Sequence, residues 1–279
     1  MKNNISNKQK EQDLLDRIWN AIPVTHQSFL KLLELLEIEI TTDIPTACVT
    51  TGTFSRLRIN PDFAAKYCKT DDKLGMLVMH ELFHVLLGHT RLFERITPAQ
   101  NFAFDAVINS HLCQLFPDNA GISFFRKLYP ANDFPFALLR PPDGWRTSAV
   151  KWRLEGEALN LHQALYSESS TTYRELYDLI TRKLTNRAYG NAGEIEKLME
   201  QLLGSHGAQV AAEETDPDFT REVREIVARW PMHEQRSGRD QGLEAESFGI
   251  EVHDARRQLV AAIRKSLLPL LDRTGGFSG

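Results

Sequence analysis

One apolar segment, residues 71–88, constrains the fold of this chain more than any other. Its hydrophobic residues occur on every side of a helix, which is typical of a helix buried in a protein core. The same segment carries His80, Glu81 and His84. Two aspartates stand at its start, where their negative charge stabilises the positive end of the helix macrodipole. Because uncompensated polar groups are costly to bury, we predict a buried helix whose three polar residues share a partner.

The spacing of these polar residues predicts a metal site. Residues four apart on a helix lie about 40° apart on one face, so His80 and His84 can bind one cation. Glu81 lies about 100° round from His80, too far to be a third ligand but close enough to take a proton from a water on the cation. The pattern H-E-x-x-H is typical of zinc hydrolases, with Glu81 as the general base and Zn²⁺ as the cofactor.

Asp105 is the predicted third ligand, because a hydrolytic zinc site usually takes three protein side chains. Residues 97–100 combine an N-cap threonine, a proline and a capping-box glutamine, which predicts a helix that Pro117 ends. Asp105 projects from the apolar side of that helix, and the short connection predicts antiparallel packing on the preceding helix. Asn109, one turn later, is predicted to orient the aspartate.

Three alternatives stay open for this site. His89 on a continuous helix points about 160° away from the histidine pair, so it could be a ligand only if Gly88 ends the helix. Otherwise His89 would cap the helix or support a ligand. Asp105 could instead form a buried ion pair with Arg91. The polar residues could also form a buried hydrogen-bonded network without a metal.

The rest of the chain predicts an α+β, mostly helical fold with a small sheet beside the H-E-x-x-H helix. Apolar residues between 8 and 39 predict two amphipathic helices interrupted near Pro23. Residues 47–60 predict two strands around Gly52, closed by Asn60 and Pro61. Helical patterns recur near residues 155–168, 170–186, 193–203, 217–230 and 253–268.

We predict a single domain over residues 1–279, because one core of this length can bury enough apolar surface. Its core would span about 43–118, followed by an irregular excursion at about 117–155 and a helical part at 155–279. The net charge of −4 gives no electrostatic reason to expect nucleic acid or an anionic membrane as a partner. The polar start resembles no signal peptide, and no apolar run reaches membrane-spanning length.

Three widely spaced cysteines, Cys48, Cys68 and Cys113, predict neither a disulfide framework nor a four-cysteine zinc site. Each is expected to be a small buried hydrophobic residue. A cytoplasmic location fits these thiols and the absence of a signal peptide.

Three segments in order, R-L-R-I-N-P at 56–61, V-M-H-E-L-F-H-V-L-L-G-H-T-R at 78–91 and A-F-D-A-V-I-N at 103–109, resemble a family of bacterial zinc metallopeptidases. Members are often joined to or encoded beside von Willebrand factor A-like domains and AAA-type ATPases. The similarity covers residues 45–115 and implies a zincin-like fold that hydrolyses peptide bonds. The Asp-x-Ser-x-Ser site of a von Willebrand factor A-like domain is absent, so an ATPase or regulatory partner would be a separate chain.

The resemblance implies that His80, His84 and Asp105 bind Zn²⁺ and that Glu81 is the general base for a protein or peptide substrate. The strand at 56–59 could hold an extended substrate by β-augmentation. One alternative is a binding or scaffold protein that contains zinc but has no catalytic activity. A latent protease is another, in which residues 122–152 cover the cleft until a partner or a cut removes them.

No side chain for oxyanion stabilisation can be assigned from the sequence. Three tyrosines, Tyr166, Tyr173 and Tyr177, could serve, although their helical spacing is also typical of core residues. His111 points away from Asp105 on the predicted helix, and His206 lies in a polar stretch, so both are expected outside the site.

Overall fold

The computed structural model describes residues 2–22, 27–52, 54–87, 89, 97–116, 119–130, 133–168, 173–185 and 216–226. Within these ranges the chain is mostly helical with one three-stranded sheet, which confirms the predicted mixture of helices and a small sheet. Two predicted helices, at 193–203 and 253–268, lie outside the described residues. The same is true of Arg91 and His206.

Two N-terminal helices, α1 (Lys2–Ala21) and α2 (Gln27–Glu34), confirm the predicted amphipathic pair. α1 packs against α4 (Asp71–Leu86), the helix that carries H-E-x-x-H. At their crossing, a Cβ on Gly75 would lie 2.5 Å from the carbonyl oxygen of Ala21. The two helices therefore approach more closely than any larger side chain at position 75 would permit.

The sheet contains β1 (Glu37–Ile40), β2 (Ala47–Thr50) and β3 (Arg56–Ile59) in the spatial order β1-β3-β2. β2 is antiparallel to β3, as the predicted strand pair requires, and β1 is parallel to β3. Because β3 is the central strand, both of its edges are already paired. The prediction that residues 56–59 offer an edge to an extended substrate is therefore wrong.

β1 lies where the end of the second helix was expected, so the prediction of helix as far as residue 39 is wrong. Its sequence E-I-E-I alternates polar and apolar residues, which suits a strand with one exposed face. Glu37 pairs with Arg56 at 2.7 Å and Glu39 with Arg58 at 3.1 Å across the two strands. These contacts form only when β3 is present, so a local helical pattern could not reveal them.

Helix boundaries follow local capping chemistry. Asn60 accepts hydrogen bonds from two backbone amides and begins α3 (Pro61–Tyr67), a helix that was not predicted. Thr97 and Gln100 form the predicted capping box of α5 (Pro98–Leu115). Residues 117–155 were predicted to be irregular, which is wrong for α6 (Asn119–Leu128) and for a 3₁₀ turn at Phe136–Leu139.

The C-terminal part of the described chain is helical, as predicted. It contains α7 (Gly156–Gln163), which continues into a π-helical turn (Ala164–Glu168), then α8 (Tyr173–Thr185) and α9 (217–226). None of the described helices is long and apolar enough to cross a membrane.

α4 lies at the centre of the core. It packs against α1, α2, β2, α5 and α6, and every residue from Leu74 to Leu86 is buried. The prediction of a buried helix is confirmed, because this burial includes its three polar residues. Cys48, Cys68 and Cys113 are also buried free thiols, and burial raises the pKa of Cys48 and of Cys68 to about 12.

Burial of His111 on α5 predicts a specific loss of stability in acid. Burial lowers its pKa from 6.5 to about 4, so the unfolded chain binds a proton that the folded chain does not. The free energy of unfolding must therefore fall as the pH falls from about 6.5 to 4, by about 2 kcal/mol between pH 7 and 5 for this group. Between pH 7 and 5, the free energy of unfolding of His111→Gln should therefore fall by about 2 kcal/mol less than that of wild type. Urea denaturation of both proteins with a chelator present measures this difference. Equal losses in the two proteins would contradict the prediction.

Candidate metal centre

Helices α4 and α5 bring the predicted ligands together in the metal-ligand group, which consists of His80, His84 and Asp105. The Nε2 atoms of the two histidines lie 3.2 Å apart. The Asp105 Oδ1 atom lies 3.5 Å from His80 Nε2 and 3.3 Å from His84 Nε2. All three side chains are 0% exposed, as is that of Glu81. The sequence prediction that these residues meet is confirmed.

The three separations fit one small cation. Zinc ligands lie at about 2.0–2.2 Å from the ion, so the corners of a tetrahedral site are about 3.3–3.6 Å apart. The observed separations of 3.2, 3.5 and 3.3 Å match that triangle. The donor set of two imidazoles and one carboxylate suits zinc, although it would also accept other divalent transition metals. The residues therefore fit a divalent metal ion.

Unpaired oxygens support the same conclusion. Both carboxylate oxygens of Asp105 and both of Glu81 are buried without a hydrogen bond of normal geometry. Leaving a buried charged group unpaired is strongly unfavourable, and a positively charged ion beside Asp105 removes that penalty. A hydrogen-bonded network without a metal explains this centre less well, because it leaves the Asp105 oxygens without a hydrogen bond of normal geometry.

The pKa values show how strongly the centre attracts positive charge. Burial raises the pKa of Asp105 to about 6 against the opposing effect of His80, and burial raises that of Glu81 to about 7. Burial alone would lower the pKa of His80, but the nearby Asp105 and Glu81 carboxylates raise it overall. The shifts of Asp105 and Glu81 reflect the cost of burying a carboxylate, and the shift of His80 reflects the carboxylates beside it.

Asn109 fixes the orientation of His80. Its Oδ1 lies 2.9 Å from His80 Nδ1, and its Nδ2 donates to the backbone carbonyl of Leu139 at 2.9 Å. Because Oδ1 can only accept, His80 Nδ1 must carry the hydrogen, which leaves the lone pair of Nε2 facing the other ligands. The prediction that Asn109 orients Asp105 is wrong, because one turn along α5 its side chain reaches α4 instead.

His89 contacts the second histidine ligand. Its Nδ1 lies 3.1 Å from His84 Nδ1, and its ring stacks on Phe104 with centroids 3.7 Å apart. His89 is not a member of the metal-ligand group. If His84 Nδ1 donates to His89, the lone pair of His84 Nε2 also faces the centre. The alternative in which His89 supports a ligand therefore agrees with the geometry.

Glu81 faces β2, the edge strand beside α4. The backbone of Val49 lies close enough to Glu81 to lower the pKa of its carboxyl, which partly opposes the effect of burial. Burial, followed by the charge of Glu81, raises the pKa of the neighbouring Cys48 thiol. The carboxylate of Glu81 therefore lies beside the sheet and is not a member of the metal-ligand group.

The remaining candidates lie elsewhere. Tyr166 packs against Trp145 and His162, and Tyr177 packs against the core as a partly buried residue. The side chain of Tyr173 lies outside the described residues, and no oxyanion donor is assigned.

The anchoring of Asn109 by the Leu139 carbonyl could not be predicted, because a backbone group 30 residues away leaves no signal in sequence.

No model of a known protein family, no curated protein and no solved structure matches this chain.

Removing Asn109 should weaken metal binding without unfolding the chain. Loss of a residue that holds a metal ligand by a hydrogen bond typically lowers metal affinity by about 10–100-fold, so we expect Asn109→Ala to bind zinc about that much less tightly in a competition titration. Gln114→Ala is the matched control, because Gln114 on the same helix also donates to a distant backbone carbonyl, that of Leu165, at 2.8 Å. Equal zinc affinity in Asn109→Ala and Gln114→Ala would argue against this role.

Proposed function

We propose that this protein is a zinc-dependent metallopeptidase. The observation that carries the proposal is the tetrahedral spacing of His80 Nε2, His84 Nε2 and Asp105 Oδ1 beside the buried carboxylate of Glu81. A purely structural zinc site usually has four protein ligands and no need of a base, whereas this group offers three ligands and one base. The resemblance of three sequence segments to bacterial metallopeptidases supports the same proposal.

The roles of the residues follow from their chemistry. His80, His84 and Asp105 would hold zinc, which when bound lowers the pKa of water and polarises a peptide carbonyl. Glu81 would take the proton from the attacking water and later deliver it to the departing amine. In the metal-free chain burial raises the pKa of Glu81 to about 7, so its carboxylate accepts a proton more readily than that of an exposed glutamate.

The proposed fold is zincin-like, and β2 replaces β3 as the proposed substrate strand. The Asn60 amide donates to the Thr46 carbonyl at 2.7 Å, so alternate residues 46, 48 and 50 face β3. The backbone groups of Ala47 and Val49 consequently face away from β3, towards the side where Glu81 lies. An extended peptide that paired with this edge would pass beside the proposed base.

A latent form of the enzyme has its own support. The metal-ligand group and Glu81 are 0% exposed, so a peptide cannot reach them in this conformation. The ring of Phe125 on α6 lies 6.5 Å from that of His80, and the Leu139 carbonyl holds Asn109. Phe125 and Leu139 both belong to the segment 122–152, which was suggested from the sequence as a cover over the active-site cleft. We therefore propose that activity requires displacement of this segment, by a cut or by a separate partner protein.

The proposed location is the cytoplasm, where three buried free cysteines would stay reduced. The function itself is tested by cleavage of unstructured peptides by the zinc-loaded chain, before and after limited proteolysis, with Glu81→Gln as the inactive variant. A zinc-containing scaffold protein without activity would cleave nothing in either state.

A further inference from the structure

A second group of buried polar residues lies outside the metal centre. The Arg140 cluster consists of Arg140, His162 and Tyr166, which are 6%, 3% and 3% exposed. The carbonyl oxygen of Arg140 accepts a hydrogen bond from His162 Nε2 at 3.0 Å. The rings of His162 and Tyr166, one turn apart, meet edge to face with centroids 5.2 Å apart. The three residues therefore form one contiguous cluster.

Each member of the Arg140 cluster leaves one buried polar atom without a hydrogen-bond partner. These atoms are Arg140 Nε, His162 Nδ1 and Tyr166 Oη. The rest of the Arg140 guanidinium is held firmly, by two backbone carbonyls at 3.3 and 3.1 Å and by Asp143 at 2.6 Å. Buried polar atoms almost always have partners, so three in contacting residues indicate a missing ligand.

The charge around the cluster is positive. Arg126 donates to the carbonyls of Pro141 and Pro142, beside Arg140. Arg153 lies 3.7 Å from Asp143, which also pairs with Arg140. Arg140 and Arg153 therefore share the carboxylate of Asp143, while Arg126 bonds only to backbone carbonyls within the described part of the chain. Such an excess of positive charge favours an anion over a neutral ligand.

Hydrogen-bond polarity narrows the class of anion. Arg140 Nε can only donate, and Tyr166 can donate its hydroxyl hydrogen. His162 Nε2 donates to a carbonyl, so His162 Nδ1 carries a lone pair and can only accept. The ligand must therefore accept from Arg140 and donate to His162, and it can also accept from Tyr166. A phosphate that retains one proton near neutral pH can do this, whereas a fully ionised sulfate of the same shape cannot.

We propose that the Arg140 cluster is a binding site for hydrogen phosphate, with Arg140 and Tyr166 donating to its oxygens and His162 accepting from its hydroxyl. The loop at 143–151 covers the cluster, with Trp145 Nε1 donating to the Tyr166 carbonyl at 2.7 Å. Phosphate would enter when this loop lifts. Because Leu139 precedes Arg140 and holds Asn109, bound phosphate would also steady the backbone that supports His80.

Calorimetric titration of the full chain with inorganic phosphate, in zinc-free buffer at pH 7, tests this site. We expect about one phosphate to bind per chain, and sulfate to bind at least about tenfold more weakly because it cannot donate to His162. Tyr166→Phe should weaken phosphate binding by at least about tenfold, since it deletes one donor to a charged ligand. Tyr177→Phe is the matched control, and it should bind phosphate like wild type.

The stability of Tyr166→Phe provides a check on folding. Without phosphate this variant should unfold at or above the temperature of wild type, because it removes a buried hydroxyl that has no partner. Phosphate should then raise the unfolding temperature of wild type more than that of Tyr166→Phe. Equal binding of phosphate and sulfate by wild type would overturn the assignment to hydrogen phosphate, and no binding of either anion would overturn the proposal in favour of an ordered water. Asp105→Ala should bind phosphate normally, so the result does not depend on the metal centre.

Discussion

Wild-type protein is expected to carry about one zinc ion per chain after incubation with zinc and desalting, and Asp105→Ala to carry little. Asp105 supplies the only carboxylate of the metal-ligand group, and its Oδ1 atom lies 3.5 Å from His80 Nε2 and 3.3 Å from His84 Nε2. Loss of this ligand leaves two neutral imidazoles, so we expect zinc affinity to fall by at least about 100-fold. Elemental analysis of both proteins measures the zinc content directly.

Stability in a chelator separates loss of the ligand from loss of the fold. Without metal, the buried Asp105 carboxylate has no hydrogen-bond partner, which destabilises wild type. Asp105→Asn keeps the shape and removes the charge, so its free energy of unfolding in chelator should exceed that of wild type by about 1–3 kcal/mol. Added zinc should reverse this order, because only wild type binds it tightly.

Two outcomes would contradict the proposed centre. If wild type carries no zinc after incubation with it, the polar residues form a buried network and the peptidase proposal fails. If Asp105→Ala keeps its zinc, the third ligand lies elsewhere, and His89, at 3.1 Å from His84, becomes the next candidate.

Glu81→Gln should greatly slow peptide cleavage while the zinc content of the protein stays the same. Glutamine has nearly the same shape but cannot take a proton, and general-base catalysis typically contributes about 10²–10⁴ to the rate. We therefore expect cleavage of an unstructured peptide to fall by about that factor, with zinc content unchanged, because Glu81 is not in the metal-ligand group. The matched control is Glu39→Gln on β1, where the carboxylate pairs with Arg58 on the sheet and should not affect the rate.

The same assay after limited proteolysis separates the remaining functions. Activity that appears only after a cut, and that Glu81→Gln lacks, would support a latent peptidase whose covering segment includes Phe125. Equal rates for wild type and Glu81→Gln would rule out Glu81 as the base. Zinc retained without activity in either state would indicate a binding or scaffold protein.

Local sequence rules predicted several elements correctly. The capping box of Thr97 and Gln100 placed the start of α5, and the aspartates at the start of α4 marked the helix that carries the histidine pair. Such signals act within one helical turn, so a short stretch of sequence is enough to find them. By contrast, β1 was missed because Glu37 and Glu39 obtain their partners from a strand some 19 residues later.

The sequence by itself predicted which three residues form the metal-ligand group. Four residues apart on one helix, His80 and His84 must share a face, and the apolar pattern around them requires burial. The periodicity of α5 likewise predicted that Asp105 points inward. These conclusions depend on helix geometry, which is the same wherever a helix lies in the fold.

Only the tertiary structure decided how far the three ligands lie from each other, which residue Asn109 supports, and whether the site is open. Distances of 3.2–3.5 Å between atoms on α4 and α5 depend on how the two helices pack. Asn109 binds His80 because the Leu139 carbonyl fixes its amide, and the site is closed because α6 packs on α4. These features arise from contacts between segments distant in sequence, whose geometry no local pattern encodes.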